Sequence, residues 1–315
     1  MTDRFAAALS ALWRSARLKG DDRLGLAVSG GPDSLALLCL AAAALPGRVA
    51  AATVDHGLRA EAADEAAMVA RVCAEMAVPH AILRVTVSEG NVQSEARTAR
   101  YAALDLWLAE QGLAALATAH HADDQAETLV MRLNRSSGVS GLAGVRALGR
   151  VPGSERPLLR PLLDWRREEL AKVVAAAGLT AAQDPSNADP RFDRVRVRQA
   201  LAAVDWLDVP ALAASAAHLA DADAALDWAA GREWREAVSP IPMGLVYRPQ
   251  APRAIALRVI ARIVSELDGE APRGSAVARL FDSLLAGQPA SIGNLVARRG
   301  PEGWTFTKAP LRRTG

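Results

Sequence analysis

Cysteine is nearly absent from this chain. Its 315 residues hold two, Cys39 and Cys73. They stand far apart and neither belongs to a CxxC, so the sequence carries no zinc or iron–sulfur signature. Each lies in an apolar helical context and reads as a small buried hydrophobe. Lysine is scarce as well. Only Lys19, Lys172 and Lys308 are present, so arginine makes up the rest of the 37 basic residues. Long apolar runs are missing too. The longest, Leu35 to Leu45, is too short to cross a bilayer. The opening MTDRFAAALSALWRS has an early acid and lacks the order of a signal peptide. These absences predict a cytoplasmic chain without a membrane partner. Two glycine signatures are missing as well. No Gly-Lys-Ser/Thr ends a Walker A loop, and no GxGxxG supports a dinucleotide fold.

What is present suits a globular protein of more than one domain. Half of the residues are hydrophobic (51%) and 23% are charged, and the length exceeds one typical core. Net charge is only +2, so placement matters more than balance. Arginines gather between Arg132 and Arg167, and again at Arg191, Arg194, Arg196 and Arg198. A basic face is solvated by default. Two clusters near a nucleotide-type loop point to a phosphate-rich partner, because arginine grips phosphate with a planar fork.

The first half alternates apolar strands with helical patterns, which predicts an α/β fold with a doubly wound, mainly parallel sheet. Strands are expected at Leu24–Val28, Arg48–Val54, His80–Val87 and Leu113–Ala119. Helices are expected from Ser34, over Glu61–Met76, Ser94–Gln111, Asp123–Leu133 and Leu163–Ala177. The glycine-rich stretch from Gly138 to Gly153 reads as a mobile loop. From about Val209 the pattern turns to alanine-rich helices, then a hairpin around Gly300–Gly303. The expected division is residues 1–205 for the α/β domain and 206–315 for a smaller, mostly helical one.

Three strands end in polar clusters: SGGPDS, DHGLR and HHADDQAET. In a doubly wound sheet, ligands sit beyond the carboxyl ends of the strands. In SGGPDS, Gly30 and Gly31 let backbone N–H groups approach a phosphate, and the helix that follows adds its positive end. Ser29 and Ser34 offer hydroxyls, and Pro32 marks the turn. Asp33 would repel a phosphate, which leaves it to hold Mg²⁺ or to cap the helix. Asp124 and Glu127 lie three apart on one helical face. The pair could hold an ammonium or Mg²⁺ and take a proton, or be an acidic first turn that steadies the helix. Arg97 and Arg100 share a face and could reach phosphate or RNA, or pair with Glu95 or Asp105. His56, His120 and His121 fall at strand ends, so at least one is expected to line the pocket.

The SGGPDS stretch resembles the PP-loop, SGGxDS, of the ATP pyrophosphatases. Six further motifs follow in order: VDHGLR (Val54 to Arg59), NVQSEARTARY (Asn91 to Tyr101), TAHHADDQAET (Thr118 to Thr128), SSGVSGLAG (Ser136 to Gly144), RPLL (Arg160 to Leu163) and DPSNAD (Asp184 to Asp189). Together they are similar to the tRNA(Ile)-lysidine synthetase family. That resemblance implies ATP, with Mg²⁺, adenylating the wobble cytidine of the CAU-anticodon isoleucine tRNA at carbon 2. Free L-lysine then displaces AMP to give lysidine. It implies ATP binding by Ser29, Gly30, Gly31, Pro32, Asp33, Ser34, Val54, Asp55 and His56. It also implies catalysis by Asp33, His120, Asp124 and Glu127, with lysine on Asp124 and Glu127 and Mg²⁺ on Asp33 and Asp124. Arg97, Arg100, Arg135, Arg194, Arg196 and Arg198 are the expected tRNA contacts, the last three also candidates for an adjacent acidic face. A homodimer is compatible with all of this.

Two departures stand out. The family's usual Arg-Gly-x-Gly is Arg135-Ser136-Ser137-Gly138 here, which predicts a stiffer loop. RVRVRQ replaces the commoner Arg-Asn-x-x-Arg form. The rival readings are a tRNA 2-thiolation enzyme, which needs cysteines to carry sulfur or a cluster, and a glutamine-dependent synthetase, which needs a glutaminase domain. A nucleotide-binding regulator without catalysis is the third.

Overall fold

The computed structural model describes residues 1–55, 61–85, 92–182, 191 and 193–309. Two compact units divide the chain, Met1–Ala220 and Asp221–Gly315.

The first unit is built on a six-stranded sheet. Its strands are β1 (Leu24–Ala27), β2 (Val49–Asp55), β3 (His80–Arg84), β4 (Ala115–Ala117), β5 (Leu148–Arg150) and β6 (Pro157–Leu159), in the order β3-β2-β1-β4-β6-β5. All neighbours are parallel except β5, which pairs antiparallel with β6 at the edge. Side chains alternate between two cores, as the period of a strand requires. Leu24, Leu26, Val49, Ala51, Ala115 and Ala117 enter one core, with Leu35, Leu37 and Leu38 of α2 (Pro32–Ala44). Ala50, Ala52 and Leu116 enter the other, with Tyr101, Leu104, Trp107 and Leu108 of α4 (Val92–Glu110). Burial on both faces explains why these strands read as apolar runs. It also explains why α2 is apolar on every side. Gly25 is where α4 comes closest. A Cβ there would stand 2.4 Å from Leu108 Cδ2 and 2.8 Å from Trp107.

The strand order reverses between β1 and β4. The chain winds outward from β1 through β2 to β3, then returns across the sheet by α4 to β4. That reversal opens a crevice at the carboxyl ends of β1 and β4, where such sheets take ligands.

The glycine-rich stretch is not a loose loop. It contains α6 (Val139–Leu142) and β5. Gln125, buried on α5 (Ala122–Leu133), donates from Nε2 to the Val145 carbonyl and accepts from the Val145 N–H, both at 2.8 Å. A buried amide satisfied on both sides fixes the segment. The sequence reading missed this because a single glutamine on the preceding helix does the fixing. It also missed β6, only three residues long, and α8 (Asp193–Ala202).

The second unit begins at Asp221, inside α9 (Val209–Ala237). The expected hairpin is present as β10 (Leu295–Gly300) and β11 (Gly303–Lys308). It belongs to a five-stranded antiparallel sheet with β7 (Val238–Ile241), β8 (Gly244–Tyr247) and β9 (Ala290–Ile292), ordered β7-β8-β11-β10-β9. Helices α10 (Arg253–Asp268) and α11 (Gly274–Leu285) pack against it through Val259, Ile263, Leu280 and Leu284. Trp304 meets Phe281 and Tyr247 edge-on, at 5.4 and 6.1 Å between ring centres. The remaining strands of this sheet are too short to show a period of two in the sequence.

Ser136 has φ +51°. It stands where the resembled family usually has glycine, and left-handed backbone costs an L-residue about 1–2 kcal/mol. Ser136→Gly relieves that strain against about 0.4–1 kcal/mol of entropy that glycine adds to the unfolded chain. The variant is therefore expected to melt slightly higher than the parent in calorimetry. A lower midpoint would show that the serine is held there by contacts that matter more than its backbone.

Candidate active site

Two loops meet at the crevice. The first runs from β1 into α2. Gly31 is the N-cap of α2 in extended conformation, and Pro32 follows as its first residue, where a missing N–H costs nothing. Gly30 has φ +88°, and a Cβ on it would press on Met68 and Val69 at 3.2 and 3.3 Å. Ser34, buried, donates to the Gly31 carbonyl at 2.9 Å and accepts from the Ser29 N–H at 3.1 Å. The Ser29 and Ser34 hydroxyls are 3.3 Å apart. Ser34 thus closes the loop on itself, and the N-terminal end of α2 faces the crevice with its partial positive charge.

The second loop runs from β4 into α5, with His121 as N-cap. His121 is 1% exposed and sits among three carboxylates. Its Nε2 lies 3.3 Å from Asp33 Oδ2 and 3.7 Å from Asp124 Oδ2, and its Nδ1 lies 3.6 Å from Asp123 Oδ2. These are ion-pair distances without hydrogen-bond alignment. Burial opposes a charged ring. The Asp123 and Asp33 carboxylates, with the charge of Asp124, overcome it and raise the His121 pKa to about 9. His121 therefore joins the β1 loop to the first turn of α5 as a cation. Asp123 in turn accepts the Arg167 N–H at 2.8 Å and the Arg166 Nε at 3.3 Å, tying α5 to α7 (Arg167–Ala176). The Asp123 carboxyl is half-buried, which favours its neutral form, yet His121, Arg167 and Arg166 hold it well below the usual range.

His120 is the opposite case. Burial, then Arg160, Arg194, Arg97 and Arg100, push its pKa down to about 3. It is a neutral ring at physiological pH, with Nδ1 2.9 Å from Thr118 Oγ1. Arg160, buried at the end of β6, has an Nε without a partner among the described residues. Arg97 and Arg100 lie over the Tyr101 ring at 5.1 and 5.4 Å. Arg160, Arg97 and Arg100 thus surround His120 with positive charge.

Glu127 and Asp124 face α8. Glu127 has a side chain only 2% exposed. Its Oε2 accepts from Arg194 Nε at 2.7 Å. Its Oε1 accepts from Arg198 Nε at 2.8 Å and from Arg167 Nη2 at 3.3 Å. Asp124 Oδ1 accepts from Arg194 Nη2 at 2.7 Å, and its Oδ2 accepts the His121 N–H at 3.1 Å. Burial would raise the Glu127 pKa, but Arg198 and Arg194 hold it below the usual carboxylate value.

The structure thus brings Ser29, Gly30, Gly31, Pro32, Asp33, Ser34, His120, Asp124 and Glu127 to one crevice. Val54 and Asp55 end β2, beside β1. His56 lies outside the described residues. Arg194 and Arg198 lie on the acidic pair. Arg135 and Arg196 both pair with Asp193, Arg135 at 2.9 Å. Sequence reasoning gave Arg160 and Arg167 no role, Asp123 only that of a helix cap, and His121 only a place among three histidines of which at least one would line the pocket. His121 had one signal: it directly precedes an acidic helix start.

Asp33 Oδ1 is buried and has no partner among the described residues. A carboxylate oxygen beside a phosphate cradle suits Mg²⁺, which takes one or two carboxylates and completes its shell with phosphate and water. Both oxygens of Asp124 are already engaged, so Asp33 fits that role better.

A phosphate cradle at the switch point of a parallel sheet, with an acidic residue in its first helical turn, defines a PP-loop protein. A profile of the PP-loop domain matches residues 1–204. A U34-tRNA thiolase from Methanococcus maripaludis shares the fold, with a TM-score of 0.52, 18% identity, and coverage of 67% of this chain and 78% of that one. Curated relatives are more specific. A tRNA(Ile)-lysidine synthase from Novosphingobium aromaticivorans is 49% identical over 93% of this chain and 90% of its own length. One from Zymomonas mobilis is 40% identical over 92% and 90%. The chain belongs to the tRNA(Ile)-lysidine synthase family.

His121 titrates higher in the folded chain, about 9, than the ordinary histidine value of 6.5. Its stabilisation is therefore complete below pH 6.5 and is lost as pH rises through 9. Melting temperature in metal-free buffer should fall over that window, and His121→Gln should flatten the fall. A parent and variant with parallel pH profiles would remove His121 from the account.

Proposed function

We propose that this chain is a ligase that joins L-lysine to carbon 2 of the wobble cytidine in CAU-anticodon isoleucine tRNA, using ATP and giving lysidine. The observation that carries this reading is the pairing, at one crevice, of a phosphate cradle with the Asp124–Glu127 carboxylates, in a chain of this family.

The reaction has two steps. The cytidine oxygen at carbon 2 bonds to the α-phosphorus of ATP, and pyrophosphate leaves. An amine of lysine then bonds to carbon 2, and AMP leaves with that oxygen. The amine must shed a proton to attack. In the first step the N–H groups of Gly30, Gly31, Asp33 and Ser34 at the α2 N-terminus bind phosphate oxygens where charge gathers. Mg²⁺, held by Asp33 through Oδ1, would neutralise further phosphate charge. His120, neutral, offers ring nitrogens for hydrogen bonding and no positive charge. Asp124 and Glu127 hold the lysine ammonium, and one of them takes its proton. Arg97, Arg100, Arg135 and Arg196 face tRNA phosphates, with residues 1–205 doing the chemistry and residues 206–315 recognising the tRNA.

Thiolation fits the residues less well. The two cysteines are Cys39 on α2 and Cys73 on α3 (Glu61–Glu75), both packed in the first core. Burial pushes the Cys73 thiol up to about 11, the wrong direction for a nucleophile.

Purified protein with ATP, Mg²⁺ and labelled lysine should label CAU-anticodon isoleucine tRNA and leave elongator methionine tRNA unlabelled. Asp33→Ala and Glu127→Ala should each lower incorporation by at least about 10²-fold, the scale of losing an electrostatic or acid–base contribution. Wild-type rates in both variants would sink the site assignment. ATP binding without any incorporation would sink the substrate.

A further inference from the structure

The acidic pair assigned to lysine already has cations on it. Arg167, Arg194 and Arg198 place three guanidiniums on the two carboxylates of Asp124 and Glu127, at 2.7 to 3.3 Å. Arginine and a lysine ammonium want the same oxygens. A group carrying one more positive than negative charge does not attract a further cation. Glu127 has no spare access, because its side chain is 2% exposed. The arginines are different. Arg194 is 44% exposed and Arg198 31%, so each grips the buried carboxylate from outside and keeps a face open to another anion. Guanidinium binds phosphate as well as it binds carboxylate, and the proposed reaction brings phosphates to this crevice.

We infer that Arg194 and Arg198 exchange partners, from the Asp124–Glu127 pair to an incoming phosphate, so that the lysine subsite opens only when phosphate is bound. The inference rests on the lysine reading of that pair. It makes phosphate and lysine bind with positive coupling, and by linkage each tightens the other equally. It also orders the reaction: the amine is admitted after the group it will attack has arrived, which guards the activated base against idle turnover. The phosphate has two sources, the RNA backbone and the nucleotide.

Equilibrium dialysis of radiolabelled L-lysine against the full chain separates them. It would be run with protein alone, with CAU-anticodon isoleucine tRNA, with α,β-methylene ATP plus Mg²⁺, and with all of these together. The analogue cannot be cleaved between its α- and β-phosphates, so no step follows binding. Lysine affinity should rise about tenfold in at least one phosphate arm, and the arm that does so identifies the source. Arg198→Gln should bind lysine more tightly than the parent without any phosphate and lose most of the coupling. Glu127 keeps Arg194 and Arg167 in that variant, so the core survives. Arg198→Lys should preserve coupling. Equal lysine affinity in every arm, or an Arg198→Gln protein that binds lysine no better than the parent, overturns the exchange. No lysine binding to the parent in any arm overturns the lysine assignment itself, and the exchange with it.

Discussion

Glu127 is a carboxylate almost without water, and the charges around it organise the crevice. An isolated buried carboxylate would cost several kcal/mol or simply protonate. Here Arg194, Arg198 and Arg167 hydrogen-bond both of its oxygens, so it stays ionised. Arg194 and Arg198 fix α8 against α5, and Arg167 does the same for α7. Turn by turn, the rest follows from opposite charges kept close. Asp124 shares Arg194, His121 bridges Asp33 and Asp123, and Asp123 anchors the start of α7.

The two neighbouring histidines show how position decides chemistry. His120 and His121 are adjacent in sequence, the first partly buried and the second buried. One faces arginines and is neutral far below physiological pH. The other faces aspartates and is cationic well above it. Arg97, Arg100 and Arg160 act on His120, whereas Asp33, Asp123 and Asp124 act on His121.

Much of this was legible in the residues. SGGPDS announced the cradle, and the alternation of strands and helices announced the sheet. The i,i+3 spacing of Asp124 and Glu127 placed both on one face. Other features depended on partners remote in sequence. Gln125 fixing the Val145 segment, Arg160 closing the row of strand ends, and α8 reaching back to α5 are contacts no local pattern encodes. The short strands β6, β7, β8 and β9 escaped, whereas β1 and β4, equally short, were marked by the polar clusters that follow them. RVRVRQ was recognisable as basic, but only the fold shows that Arg194 and Arg198 point at carboxylates while Arg196 pairs with Asp193.

The central claim is that this crevice activates the RNA base on its phosphate side and admits lysine on its acidic side. Exchange of labelled pyrophosphate into ATP, measured without lysine, tests it most directly. The account predicts exchange that requires the CAU-anticodon isoleucine tRNA, persists in Glu127→Gln and disappears in Asp33→Ala. Exchange that proceeds with lysine and no tRNA would contradict it, because the amino acid rather than the base would then be the group that ATP activates.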